Sequence, residues 1–318
     1  MADGDRGDHL ETMLRGKTLG PVAAPIAAIV EAARSRHGDS VSAVLFYGSC
    51  LRLNSDDGKI VDLYVLVDSY AAVYGAGLRA FLNWALPPNV FYLEAPFEGR
   101  TVRAKYAVIS LADFAAGASG RWFHPYLWAR FAQPCRLAYC RDGAVEARVL
   151  SALAAAIRKV VREGLALVAT RFTSRELWVS VFRQTYRTEL RAESPERAAE
   201  IYMVDQDHYT FAAAAALPAL GATRVEGSGE AGAATQWQGP QTSAPGAKWW
   251  LRRVLGKLLS VARLVKAAFT FQDGAQYLLW KIERHSGVTI EVTPWQRRHP
   301  VLASTVLFWR LYRKGAFR

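Results

Sequence analysis

Cysteine is scarce in this chain. Cys50, Cys135 and Cys140 are three among 318 residues, and their spacing offers neither a disulfide framework nor paired metal-ligand steps. A reducing compartment is expected. Histidine is equally thin, with six residues and no H-x-x-x-H or related cluster, so zinc chemistry is not expected. Long apolar runs are missing; none reaches the ~18 residues that a membrane-spanning helix requires. The opening MADGDRGDHLETMLRG is polar and lacks the apolar core of a secretory signal. Acidic residues are nearly absent from the last quarter: residues 246–318 hold 14 Lys and Arg against 3 Asp and Glu. That segment alone carries +11 of the chain's formal +12.

The remaining composition is that of a folded soluble protein, 51% hydrophobic and 21% charged, long enough for a sizeable core and for two domains. The basic last quarter also holds five of the ten tryptophans, Trp249, Trp250, Trp280, Trp295 and Trp309. Lys and Arg interleaved with Trp and Tyr suit an anionic lipid surface. Single-stranded nucleic acid is the rival for such a mixture, and the lipid surface is the partner expected.

The chain is organised around residues 41–68, VSAVLFYGSCLRLNSDDGKIVDLYVLVD. A β-branched apolar run, Val41 to Tyr47, ends at Gly48-Ser49. A polar stretch follows, and a second β-rich run, Ile60 to Val67, carries one carboxylate, Asp62. Strand, Gly-Ser turn, short helix or loop, strand is the local pattern of a nucleotidyltransferase. There, glycine lets backbone N–H groups approach a triphosphate, serine adds a hydroxyl, and a strand-borne carboxylate holds Mg²⁺. Gly-Ser after a strand is by itself a common structural turn. Asp inside an apolar strand is less ordinary, because strands are depleted in Asp and a buried carboxylate needs a partner or a metal. The general nucleotidyltransferase pattern has a second carboxylate two residues on, where this chain has Tyr64.

Around this unit, residues 18–37 read as a helix with its apolar pattern from Val22 to Ala33, and residues 74–86 as another ending before Pro87-Pro88. Asn89 to Glu94 and Thr101 to Ser110 read as strands joined at Glu98-Gly99. Lys105 in the second is either inward-looking or an edge lysine that discourages aggregation. Trp122, Phe123, Tyr126, Trp128 and Phe131 are an aromatic cluster, read as core, with Arg130 beside it. From Gly143 to about Leu220 the pattern is helical, with Thr173-Ser174 and Glu176 as a cap. Tyr186, Glu189 and Arg191 are placed on one helical face or in a solvated ion-pair ladder. Residues 221–247 are rich in Gly, Ala, Ser, Thr and Pro and read as a flexible linker. Beyond them Leu251, Val254, Leu255, Leu258, Ala262, Val265 and Phe269 form a stripe, with Arg252, Arg253, Lys257, Arg263 and Lys266 largely off it. This is a basic amphipathic helix opened by Trp249-Trp250, suited to lie in a bilayer interface or to dock on its own domain. The expected division is a catalytic domain over 1–142, a helical domain over 143–220, the linker over 221–247 and a membrane-contacting segment over 248–318. The contact residues expected are Trp249, Trp250, Arg252, Arg253 and Lys257.

Several ordered motifs together resemble the mitochondrial-type phosphatidate cytidylyltransferases, the translocator assembly and maintenance family, and bacterial proteins like them. Tyr47-Gly48-Ser49-Cys50 is similar to that family's Y-G-S-G, and Val61-Asp62-Leu63-Tyr64 to its strand with a single Asp. Ala104 to Ser110 resembles V-K-Y-G-V-I-S. Ala129-Arg130-Phe131-Ala132-Gln133-Pro134-Cys135 resembles A-G-R-L-Q-K-P-V, one residue shorter. Tyr186 to Arg191, with Glu193 beyond, is similar to Y-x-G-D-x-R followed by Glu. Cys50 replaces a Gly, Glu189 stands for Asp, and a His-Tyr-Ser after the Asp62 strand is missing. The resemblance covers roughly residues 40–205.

It implies an α+β fold with a nucleotidyltransferase-like mixed sheet and flanking helices, followed by a helical domain. The implied reaction is CTP and phosphatidic acid giving CDP-diacylglycerol and pyrophosphate with Mg²⁺, a step of phospholipid synthesis. Asp62 would hold the metal, and Gly48, Ser49 and Tyr47 the nucleotide phosphates. Lys105 and Arg130 would neutralise charge, and Tyr186, Glu189 and Arg191 would close the site. The protein is expected peripherally on the cytoplasmic face of a bacterial inner membrane, or on the matrix face in a eukaryote. Two rivals remain: a nucleotidyltransferase with a soluble acceptor, and a degenerate one serving as a membrane-surface adapter or nucleic-acid binder.

Overall fold

A computed structural model describes residues 4–53, 59–190, 196–226, 234–240 and 246–270. Arg191, Glu193 and everything beyond Thr270, with Trp280, Trp295 and Trp309, lie outside the described residues. The described chain is α+β. It opens with α1 (Gly4–Thr18) and α2 (Ala24–Ser35), then β1 (Val41–Tyr47), α3 (Ser49–Leu53), β2 (Ile60–Val67), α4 (Tyr70–Tyr74) and α5 (Leu78–Ala85). Next come β3 (Asn89–Phe97), β4 (Arg100–Ser110), α6 (Leu111–Ala118), α7 (Trp128–Phe131) and β5 (Cys135–Cys140). The C-terminal half holds α8 (Gly143–Leu165), β6 (Arg171–Thr173), α9 (Ser174–Tyr186), α10 (Arg197–Val204), α11 (Gln206–Ala216), β7 (Thr223–Arg224), β8 (Gln236–Gln238) and α12 (Gly246–Thr270).

β1 to β5 form one mixed sheet in the order β3-β4-β2-β1-β5, with β2 and β4 parallel and the other neighbours antiparallel. The alternation of apolar side chains explains its two covered faces. Val44, Phe46, Val61, Leu63, Val65 and Val67 pack with Ile26, Ile29, Val30 and Ala33 of α2. Ala43, Leu45, Tyr64 and Leu66 pack on the other face with Phe114, Trp128, Phe131 and the apolar side of α8. That second core runs without a break into α9 and α11 through Trp178, Phe182 and Tyr209. The sheet and the helical half are therefore welded along α8, whose N-terminus is capped by the Asp142 carboxylate accepting from the Val145 N–H. The hairpin between β3 and β4 turns at Glu98 and Gly99, both with positive φ.

Some local features differ from the sequence reading. The polar first residues form α1, and it is held by Leu10 and Leu14, buried in the second core. Two short strands occur in the stretch read as linker: β8 pairs with both β6 and β7, and Trp237 is the buried anchor. The capping box expected at the start of α9 is present, with Thr173 and Glu176 bonding reciprocally. α9 itself ends at Tyr186, and Thr188 and Glu189 follow in a turn.

Candidate active site

The register of the sheet places Tyr47, Asp62 and Lys105 side by side on β1, β2 and β4. At the end of β1 the chain turns through Gly48, whose φ of +87° lies in the left-handed region. A Cβ added to Gly48 would come within 3.0 Å of Asp62 Oδ2, so the turn sits against this carboxylate. Ser49 is exposed. Cys50 is buried and its thiol donates to the Ile60 carbonyl, so the residue that departs from the family motif faces the core. Tyr64 stands where a second strand carboxylate would be. It is buried, packed edge-on against Phe131 with ring centroids 4.9 Å apart.

A cavity of about 370 Å³ opens beside this turn. Tyr47, Gly48, Ser49 and Asp62 line it from the sheet, Arg130 and Gln133 from the segment before β5, and Tyr186 and Glu189 from the end of α9. Elements far apart in sequence therefore meet at one place. Lys105 approaches Asp62 at 3.5 Å but does not line the cavity, so its link to the cavity runs through that carboxylate. Arg191 lies outside the described residues.

Arg130 is enclosed by protein on most sides yet open to the cavity. Its guanidinium lies 5.4 Å from the ring centre of Tyr47 and 5.1 Å from that of Tyr126. It donates to the Tyr47 hydroxyl at 3.3 Å, and its Nε is buried without a hydrogen-bond partner. No carboxylate pairs with it among the described residues, although Glu189 is near enough to favour its charge. Burial raises the pKa of Tyr47 well above that of a free phenol against the pull of Arg130, so this hydroxyl stays neutral at physiological pH. Burial and then the Glu189 charge raise Tyr186 likewise.

Sequence reasoning assigned no role to Arg52, Tyr126, Thr185 or Arg197, which also line the cavity. Arg52 follows the Gly-Ser turn by less than one helical turn, a spacing that could have pointed to it. Its Nε pairs with Asp205 at 3.0 Å and it donates to Gln133 Oε1 at 2.9 Å. Tyr126, expected in the core, is half-buried and packs against it while also facing the cavity; Trp128 and Phe131 of the same cluster are fully buried, and Phe123 is exposed. A second cavity, about 730 Å³, adjoins the first and shares Arg52, Gln133 and Pro134 with it. It contains neither Asp62 nor the Gly48-Ser49 turn.

A divalent cation fits the donor set, though narrowly. Among the described residues no three His, Cys, Asp or Glu side chains gather. Asp62 and Glu189 are the described acids lining the smaller cavity, and Ser49 lines it as well. One or two carboxylates completed by substrate phosphates and water is the arrangement typical of Mg²⁺ rather than of a protein-only cage.

α12 borders the site with its polar side. Arg263 lies 4.3 Å from the centre of the Tyr126 ring, so Tyr126 contacts two guanidinium groups. At Gly256 an added Cβ would fall 2.4 Å from the Thr188 carbonyl, which explains the glycine inside this helix. Trp249 and Arg252, expected to meet a membrane, are instead buried. Arg252 donates to both oxygens of Glu163 at 2.7 and 3.0 Å and to the Phe123 carbonyl. A buried carboxylate on α8 provides the stronger partner and draws the cation inward. Trp250 and Lys257 are exposed, and Arg253 is partly so. Among the described residues no helix is long and apolar enough to cross a membrane.

No family model matches this chain, and no curated protein matches it either.

Proposed function

We propose that this cavity is a nucleotidyl-transfer site, and that the protein transfers CMP from CTP to phosphatidic acid with release of pyrophosphate. The observation that carries the reading is Arg130. A cation held deep in the protein with no carboxylate paired to it among the described residues, opening on a cavity shared with the Gly48-Ser49 turn and Asp62, is the chemistry of a polyphosphate site. The choice of CTP and of a lipid acceptor comes from the motif resemblance and from the basic, Trp-rich C-terminal quarter.

The acceptor phosphate is a monoester with a second pKa of about 6, ionised without a strong general base. One of its oxygens attacks the α-phosphorus of CTP while the bond to the bridging oxygen breaks and pyrophosphate leaves. Catalysis is then positioning and charge neutralisation. The Gly48 backbone and Ser49 hold the β,γ-phosphates, Arg130 neutralises the triphosphate or the incoming lipid phosphate, and Lys105 steadies Asp62. Tyr186 and Glu189 close the site from the helical half. Mg²⁺ bound at Asp62 supplies further neutralisation of the triphosphate. This economy explains how one strand carboxylate can suffice, with Tyr64 in the place of a second.

A soluble phosphate acceptor is the second reading, favoured by the larger cavity next door. Calorimetric titration tests the shared premise. CTP is expected to bind in the presence of Mg²⁺, more tightly than ATP, GTP or UTP. Absence of Mg²⁺-dependent binding of any nucleotide would favour the non-catalytic adapter instead.

A further inference from the structure

α12 is amphipathic in the reverse of the usual sense. Its inward side carries charge: Lys248 and Arg252 reach Glu163, Arg263 donates to the Pro87 carbonyl, and Lys266 donates to the carbonyls of Leu86 and Pro88. Its outward side carries Trp250, Leu251, Val254, Leu258, Val261, Leu264 and Val265, between 39% and 65% exposed. The contacts at residues 86–88 bring the C-terminal half of α12 against the chain directly after α5. α5 shows the same anomaly, with Leu78 70%, Phe81 56% and Trp84 66% exposed. Among the described residues, two neighbouring helices thus leave their large apolar side chains uncovered.

We propose that α5 and the outward face of α12 together are a docking face for an anionic bilayer, with Phe81 and Trp84 entering beside Trp250. The occupant is argued from charge and chemistry. The chain carries +12, and Lys257 stands exposed among the outward apolar residues, so a negative surface is attracted while a second +12 copy is repelled. Trp at the level of lipid headgroups, with aliphatic side chains below it, is the arrangement of an interfacial helix. The same docking would bring lipid to the active site, because the inward side of α12 touches Tyr126, which lines the cavity. The choice of occupant rests on the lipid-acceptor reading, but the face can be tested apart from catalysis.

The experiment is co-sedimentation of the full chain with phosphatidylcholine vesicles, with and without phosphatidic acid or phosphatidylserine. The variants are Phe81→Ala/Trp84→Ala on α5 and Leu258→Ala/Val261→Ala on α12. Each pair is expected to lower partition onto anionic vesicles about tenfold or more, with thermal midpoints unchanged because these side chains are exposed in the free protein. Unaltered partition in both pairs would overturn the proposal. So would a concentration-dependent dimer in vesicle-free solution that both pairs abolish. Anionic binding that is lost in the variants, in a protein that transfers no nucleotide, would keep the docking face and sink the catalytic reading. Normal transfer and vesicle binding in both variants would do the reverse.

Discussion

Among the described residues no carboxylate pairs with Arg130, and it stands in a place where burial works against charge. If it is there for a ligand, Arg130→Met should leave the thermal midpoint unchanged or raised while lowering CTP affinity about tenfold or more. A fall in both together would make it a structural residue. Gly48 permits a second separation. Alanine at φ +87° costs about 1–2 kcal/mol, and its Cβ would press on Asp62. Gly48→Ala should therefore lose turnover well beyond what its modest loss of stability explains. Asp62→Ala should lower kcat at least about a hundredfold while leaving vesicle binding intact. Normal turnover in that variant would remove Asp62 from the metal assignment. The place of these three beside the cavity was marked in the sequence in different ways: Gly48 by its position at a strand end, Asp62 as a lone acid in an apolar strand, and Arg130 only through the motif resemblance. Arg197 was not marked, because its place at the cavity depends on how α10 packs rather than on its neighbours in sequence, and Arg52 was marked only by its spacing from the Gly-Ser turn.

At the scale of elements, α12 is fastened through Glu163. Its carboxylate receives Lys159, Lys248 and Arg252, and the Arg252 guanidinium also lies 4.7 Å from the Trp249 ring centre. Burial alone would raise the pKa of Glu163, but the hydrogen bonds from Arg252, Lys159 and Lys248 outweigh it and hold the group well below its ordinary 4.5. A depressed carboxylate pKa contributes stability that is complete above pH 4.5 and is lost as pH falls toward the folded-state value. The protection of the α12 amides, taken relative to the intrinsic exchange rate at each pH, should therefore fall below pH 4.5, and Glu163→Gln should weaken that dependence. An unchanged acid profile in the variant would place the fastening elsewhere. Arg252→Ala leaves a buried carboxylate short of its main partner and should cost about 3–5 kcal/mol. The helix and its stripe were readable from periodicity. Which side faces water was not, because that depends on Glu163, distant in sequence and drawn against α12 only by the fold. The same limit hid α1, whose two buried leucines are diluted by a polar sequence, and the β7 and β8 pairing around Trp237.

At the scale of the molecule, the sheet supplies the turn and the carboxylate, the helical half supplies Tyr186 and Glu189, and α12 borders the cavity they share. Four strands of the sheet were foreseeable from β-rich runs separated by turn signals, whereas β5 was not read and the mixed topology was implied only by the motif resemblance. Its second core, continuous across residue 142, was not, since a change from strand to helix pattern reads as a boundary even where packing runs through it. The transfer of nucleotide label to lipid tests the central claim most directly. The purified protein would be incubated with phosphatidic acid vesicles, Mg²⁺ and each α-labelled nucleoside triphosphate in turn, with Asp62→Ala alongside. Label entering the lipid fraction from CTP and not from the others, and absent with Asp62→Ala, is the predicted result. No lipid label from any nucleotide, in a protein that still sediments with the vesicles, would contradict the account.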